Sequence, residues 1–375
     1  MKSILVDCFG KIEDPRVDRT KKHLLEDIIV MAMCGVISGA QNWEEIEDFG
    51  NMHKDWFNKF LTLPNSIPSH DTFSRVFAAL DPKAVQECSL TWLKEVKSLI
   101  PETVIPIDGK TLRRSCCKTK CQKALHVINA WSCANGISLG QLKVDDKSNE
   151  ITAVPEMLKQ LFIKGAIVTL DAMGCQKETI AQICNEGADY VVALKGNQGD
   201  LHELAKESFE LLHQGSQSIK STAVKDEVDG HHGRIDTREI EVIPAAKLEN
   251  MINPGWEKLN SIACVTHTTE ESGKISVERR FYISSLPPDK PENILHAIRS
   301  HWQVENCLHW SLDVTFREDD SRIRDQNAAL NMSWLRKFSL GLLKNEKSFK
   351  RASIRRKQMK AWGDTSYLAK VFEQS

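Results

Sequence analysis

The sequence predicts an α/β fold: a mixed sheet with flanking helices, preceded by a helical domain and interrupted by an antiparallel β insertion. Three observations predict it. Short apolar runs at 104–107, 167–170 and 190–194 alternate with helical stretches, the order of parallel strands joined by crossovers. Two hairpin patterns fall between residues 222 and 283, and four helical patterns come before the first strand.

In chain order, residues 21–39 carry Leu24, Leu25, Ile28, Ile29 and Ile37 at helical spacings and predict a largely buried helix. A second begins after Asn42, with Trp43, Ile46, Phe49, Trp56, Phe57 and Phe60 inward, a break near Gly50, and Pro64 and Pro68 beyond its end. Ser69 is the expected N-cap of a third, whose Phe73, Val76, Phe77 and Leu80 fall at i, i+3, i+4 and i+7 before Asp81-Pro82. A fourth covers 84–99. These short helices fit either a helix-turn-helix unit or a bundle that only packs.

The first strand is expected to end in Asp108, although Pro106 inside it is more usual at a sheet edge. Residues 125–132 and 137–144 flank Asn135-Gly136, a hairpin signal. A helix over 149–162, a strand ending at Asp171, a helix over 177–186 and the run 190–194 follow. After a polar helix to 212, one hairpin surrounds Gly230-His231-His232-Gly233 and another Glu271-Ser272-Gly273-Lys274. A long helix is expected over 291–312, with Leu295, Ile298, Trp302, Leu308 and Leu312 as its inner stripe and Glu305 inside that stripe. An ionised glutamate there needs a partner. His301 and His309, four residues to either side, would share its face. Residues 336–360 hold ten Lys or Arg against Glu346 alone, the composition of a solvated helix face or a phosphate-binding patch.

Charge is balanced, 50 Lys and Arg against 51 Asp and Glu, so no global basic field exists and any nucleic-acid contact must rest on local patches. Eleven scattered cysteines predict free thiols and a reducing compartment. Cys116, Cys117, Cys121 and His126 do not match the spacing of a zinc knuckle. The longest uncharged stretch, 28–42, is shorter than the roughly 20 residues that span a bilayer and is broken by Gly35, Ser38 and Gly39. With no export-signal pattern at the start, the expectation is a soluble, cytoplasmic protein without a membrane partner.

Two strands that each end in one acid, Asp108 and Asp171, would bring like charges together if they are neighbours, which is costly unless a cation lies between them. A divalent metal is the usual answer, and Glu305 is the natural third carboxylate. Basic residues follow the first acid at once: Lys110, Arg113 and Arg114. Lys195 and Asn197, just past a buried strand, and Arg234, beside a hairpin tip, are further candidates for phosphate contact.

Asp108 in Ile-Pro-Ile-Asp-Gly-Lys, Asp171 in Leu-Asp-Ala-Met-Gly-Cys-Gln, and Glu305 in His-Trp-Gln-Val-Glu-Asn-Cys-Leu-His-Trp resemble the DDE transposases of bacterial insertion sequences. The likeness is strongest to the H-repeat-associated group and extends to 68–73, 190–198 and 232–235, so it covers nearly the whole chain. It implies a ribonuclease-H-like core in which Asp108, Asp171 and Glu305 bind Mg²⁺, with Mn²⁺ able to substitute. The implied domains are 1–98, helical and possibly DNA-binding; 99–205 with 286–335, the core; 206–285, the β insertion; and 336–375, a basic C-terminal segment. Implied partners are double-stranded DNA, as terminal inverted repeats and target, and a second copy of the chain on that DNA. The rival readings are a metal-dependent nuclease without strand transfer and a DNA-binding remnant that no longer reacts.

One departure stands out. Many such transposases place Tyr, Arg and Lys around the glutamate where this chain has Ile298, His301 and Leu312. Arg299, His301 and His309 are the residues that could replace those DNA contacts.

Overall fold

The computed structural model describes residues 10–96, 103–117, 121–145, 149–215, 221–228 and 234–373. Five helices come first: α1 Leu25–Ile37, α2 Trp43–Met52, the single turn α3 Lys54–Phe57, α4 His70–Ala79 and α5 Pro82–Val96. Then come β1 Val104–Leu112, β2 Leu125–Ser132, β3 Ile137–Val144, α6 Glu150–Gln160, β4 Ile167–Leu170, α7 Lys177–Asn185, β5 Asp189–Leu194 and α8 Gly199–His213. The strands β6 Thr222–Val228, β7 Arg234–Pro244, β8 Ser261–Glu271 and β9 Lys274–Ser284 precede α9 Pro291–His301, α10 Gln326–Asn345, α11 Ile354–Gly363 and α12 Thr365–Glu373. The chain divides into two compact units, one of Met1–Ile100, Gly109–Asp146 and Glu305–Ser375, the other of Pro101–Asp108 and Lys147–Val304.

The first unit is built around α10. Asp325 caps it by accepting from the Ala328 N–H at 3.0 Å, and every residue from Ala328 to Leu343 is buried, as expected of a helix enclosed on all sides. It packs on α1, α4, α5, β3, α11 and α12. Asn331 Nδ2 donates to the carbonyls of Phe77 and Leu80, 2.8 and 3.1 Å away, and so supplies partners at the end of α4 that the helix itself lacks. Leu112, Leu125, Val127, Ala329 and Leu330 form a second apolar cluster, between the β2–β3 hairpin and α10.

This enclosure corrects part of the reading of the basic run. Arg336, Lys337 and Lys357 are buried. Arg336 donates to the Gln41 carbonyl, Lys337 to Gln141 Oε1, and Lys357 to the carbonyls of Leu343 and Glu346. Only Lys347, Lys350, Arg351, Arg355, Arg356 and Lys360 of that run face solvent.

In the second unit the first half of β1 pairs in parallel with β4 and β4 with β5, while β5 pairs antiparallel with β9. The sheet then continues through β8, β7 and β6. The insertion strands therefore extend the core sheet. Their second hairpin turns on Ser272 and Gly273, both at positive φ, as a two-residue turn requires; the tip of the first, 230–233, lies outside the described residues. The helix α9 covers one face: Ile294, Leu295, Ala297 and Ile298 pack on Val104, Ile167, Val191, Ile240 and Ala263. The order β3-β2-β1 in one unit and β1-β4-β5 in the other, with a β2–β3 antiparallel hairpin, is a ribonuclease-H-like core. The N-terminal helices extend it.

Two expectations are corrected. The strand β1 runs on to Leu112, so Asp108 stands within it, just past its last pair with β4. The long helix stops at His301, and Val304–His309 and Ser311–Thr315 are wound as π-helix. A hydrogen bond from i to i+5 changes the angle per residue, so the spacing of an α-helical stripe no longer applies. Val304, Leu308 and Leu312 stay buried, whereas Glu305 is exposed.

Candidate active site

In the second unit, Asp108 and Asp171 are level. The β1–β4 register pairs Val104 with Ile167, Ile105 with Val168 and Pro106 with Thr169. Carried two residues beyond the last pair, the same offset matches Asp108 with Asp171, which already opens the turn after β4.

Around Asp171 the chain is held firmly. Its Oδ1 accepts from the N–H groups of Met173 at 3.0 Å and Gly174 at 3.2 Å, closing the turn that follows β4. A side chain at 174 would meet Leu170 Cβ at 2.9 Å, so glycine is needed for that turn to fold back so closely. From the loop after β5, Asn197 Nδ2 donates to the Ala172 carbonyl at 2.7 Å and Gln198 Nε2 to the Cys175 carbonyl at 2.8 Å. One loop thus clamps the other. Lys195, at the head of the clamping loop, is exposed.

At the C-terminal end of α9, His301 Nδ1 lies 3.0 Å from Thr169 Oγ1. Burial pushes the imidazole pKa below its ordinary value, against the pull of the nearby Asp171 carboxylate. Thr169 is itself buried and two residues ahead of Asp171, so His301 braces the strand that carries the acid. Arg299 is exposed on the same helix, and Arg234 pairs with Asp236 at 3.0 Å.

The first unit holds the remaining residues. Lys110 is buried and points inward, 3.2 Å from Glu318 Oε2 and in contact with Asp313. Burial alone raises the Glu318 pKa, but Lys110, Lys337 and Arg336 together hold it below the ordinary range. Arg113 and Arg114 face solvent beside Asp319 and Asp320, at 3.3 and 3.6 Å. Burial, reinforced by Lys110 and Lys337, pushes His309 down to about 4.

Sequence reasoning missed three of these roles: the brace from Thr169, the Asn197 clamp, and Glu318 as counter-charge to Lys110. For Glu318 a signal existed, the run Arg317-Glu318-Asp319-Asp320 beyond the π-wound stretch.

Two hard-oxygen donors side by side suit a divalent cation. Among the described residues no three Asp, Glu, His or Cys side chains gather as a ready-made metal cluster. No helix among them is long and apolar enough to cross a membrane.

The sheet, with its parallel β1–β4 pair, is of the ribonuclease-H-like class. Within it, the chain belongs to the family described as Transposase DDE domain, which residues 100–342 match, while residues 6–93 match the region described as DDE_Tnp_1-associated. It is 40% identical over 378 aligned residues to the H repeat-associated putative transposase YhhI of Escherichia coli K12, covering 99% of this chain and 98% of the relative. With the putative transposase YncI of Escherichia coli O157:H7 it shares 38% identity over 371 residues, 98% and 94% of the two chains. A solved piggyBac transposase synaptic complex with hairpin DNA aligns at a TM-score of 0.43 and 12% identity, over 99% of this chain and 77% of that one.

Proposed function

We propose that this chain is a DDE transposase that cuts and joins double-stranded DNA at the terminal inverted repeats of an insertion sequence, working as a homodimer on that DNA. The observation that supports the proposal is the parallel pairing of β1 with β4, each followed within two residues of its last pair by an acid, in a chain of the Transposase DDE domain family. Asp108, Asp171 and Glu305 would hold the metal, and Mg²⁺, or Mn²⁺ in its place, would supply there the Lewis acidity that activates a nucleophile and stabilises a leaving oxygen.

The chain's own residues do the rest. Asn197 and Gln198 keep the Asp171 turn closed, and His301 braces Thr169, so the Asp171 carboxylate is set before DNA arrives. Arg113, Arg114, Lys195, Arg234 and Arg299, all exposed, contact phosphates. Lys110 is instead buried against Asp313 and Glu318 in the first unit.

The test is excision in cells, with the DNA that flanks this gene placed around a marker, comparing the unaltered protein with Asp171→Asn. Excision that is lost in the variant supports the proposal. Equal excision from both overturns the role of Asp171. No excision from either favours the DNA-binding remnant. Supplying a pre-cut donor end separates a transposase from a nuclease, since only the former yields a joined product.

A further inference from the structure

In the first unit the chain between the π-wound stretch and α10 is anchored along its length. Arg317 takes the left-handed backbone conformation, φ 51°, and turns its guanidinium onto Asp320, with contacts of 2.7 and 2.9 Å. Ile323 packs against the cluster of Leu112, Leu125 and Leu330. Gln122 Nε2 donates to the Arg324 carbonyl at 2.9 Å, and Asp325 caps α10.

The stretch 321–324 carries no helix, turn or strand pairing. Ile323 turns inward, with Arg322 and Arg324 on either side of it. Both are exposed, and among the described residues neither guanidinium makes a hydrogen bond or an ion pair. With Arg317, Asn42 and Trp43 they line a cavity of 420 Å³. Two of the acids in its wall are already engaged, Asp325 by the helix cap and Asp320 by Arg317. Two exposed guanidiniums therefore stand two residues apart on a strip anchored at both ends.

We infer that Arg322 and Arg324 form a backbone-binding site for DNA, each holding one of two neighbouring phosphates. The inference rests on the DNA reading of this chain and adds a contact surface to it. The nearby Arg113, Arg114 and Arg317 each form an ion pair with an acid, whereas Arg322 acts on the Asp320 carboxylate only at longer range. Phosphate contacts position DNA without reading sequence, so the site is indifferent to base identity.

The experiment is a titration of the full chain against two labelled duplexes, one from the DNA flanking this gene and one of unrelated sequence, at several salt concentrations. For Arg322→Gln with Arg324→Gln, the slope of log affinity against log salt should become shallower by about 1.8, from about 0.9 per lost phosphate contact. Both duplexes should be weakened alike, and each single variant should lose about half of the slope change. An unchanged slope in a variant that melts like the unaltered protein overturns the inference. Weakening confined to the flanking-DNA duplex also overturns it, because that is base readout. If the unaltered chain binds neither duplex, the DNA reading itself fails.

Discussion

Lys110 Nζ lies 3.2 Å from Glu318 Oε2, and both side chains are buried. This pair ties the second half of β1 to the short turn ahead of α10, and the same carboxylate also answers Lys337 and Arg336. Removing one partner of such a network leaves an uncompensated charge inside the protein, which typically costs about 3–5 kcal/mol. Glu318→Ala should lose about that much stability in urea denaturation. A loss below about 1 kcal/mol would mean that the three cations are satisfied without it.

His309 makes stability depend on pH. Its folded pKa, about 4, lies below the ordinary value of about 6.5, so the unfolded chain binds the proton more readily. The contribution is fully present above pH 6.5 and is lost as pH falls toward 4. Between pH 7 and pH 5 it amounts to about 2 kcal/mol. Denaturation at the two pH values should show that difference shrinking by about this amount in His309→Asn; an identical pH response in the variant would remove His309 as the source.

Bracing from His301 should be visible in turnover. A residue that orients the strand carrying a metal-binding carboxylate, without itself binding the metal, typically contributes about 10–100-fold. His301→Ala should slow DNA cutting by that factor while leaving DNA affinity unchanged. If affinity falls in step with rate, His301 is a DNA contact and the brace to Thr169 is incidental.

Chelation should separate chemistry from fold. The face under α9 is packed from apolar side chains, and so is the cluster between β2 and α10. Removing divalent ions should stop cutting, leave the melting temperature in place, and be reversed by Mg²⁺ or Mn²⁺. A large fall in melting temperature would assign the metal a structural role.

Much of the fold was legible in local pattern. The helices at Leu25–Ile37 and His70–Ala79 follow their apolar periodicity, and Asn42 caps Trp43–Met52 as its residue type predicts, accepting from the Glu45 N–H at 2.8 Å. The hairpin at Ser272-Gly273 was legible in the same way. What failed depended on winding or on distant partners. The break expected near Gly50 falls at His53, between α2 and α3, while Gly50 stays helical and its missing side chain makes room for Ile67, whose Cγ2 would lie 2.8 Å from a Cβ there. Arg336 and Lys337 read as surface charge, since nothing local shows that Gln41, Gln141 and Glu318 wait for them. Of the candidate site, the two aspartates could be placed from apolar runs that end in an acid. Their equal register needed the structure.

The π winding of Val304–His309 and Ser311–Thr315 makes this stretch unusually sensitive to chain length. A π turn holds one residue more than an α turn, so deleting a single residue here lets the chain rewind as α-helix and swings its neighbours around the axis. Ile298 and Leu312, which flank Glu305, are both buried, so each is fixed to its own core. Among relatives, a change of side chain between 304 and 315, Glu305 and Asp313 aside, should be tolerated far more often than a change in the number of residues.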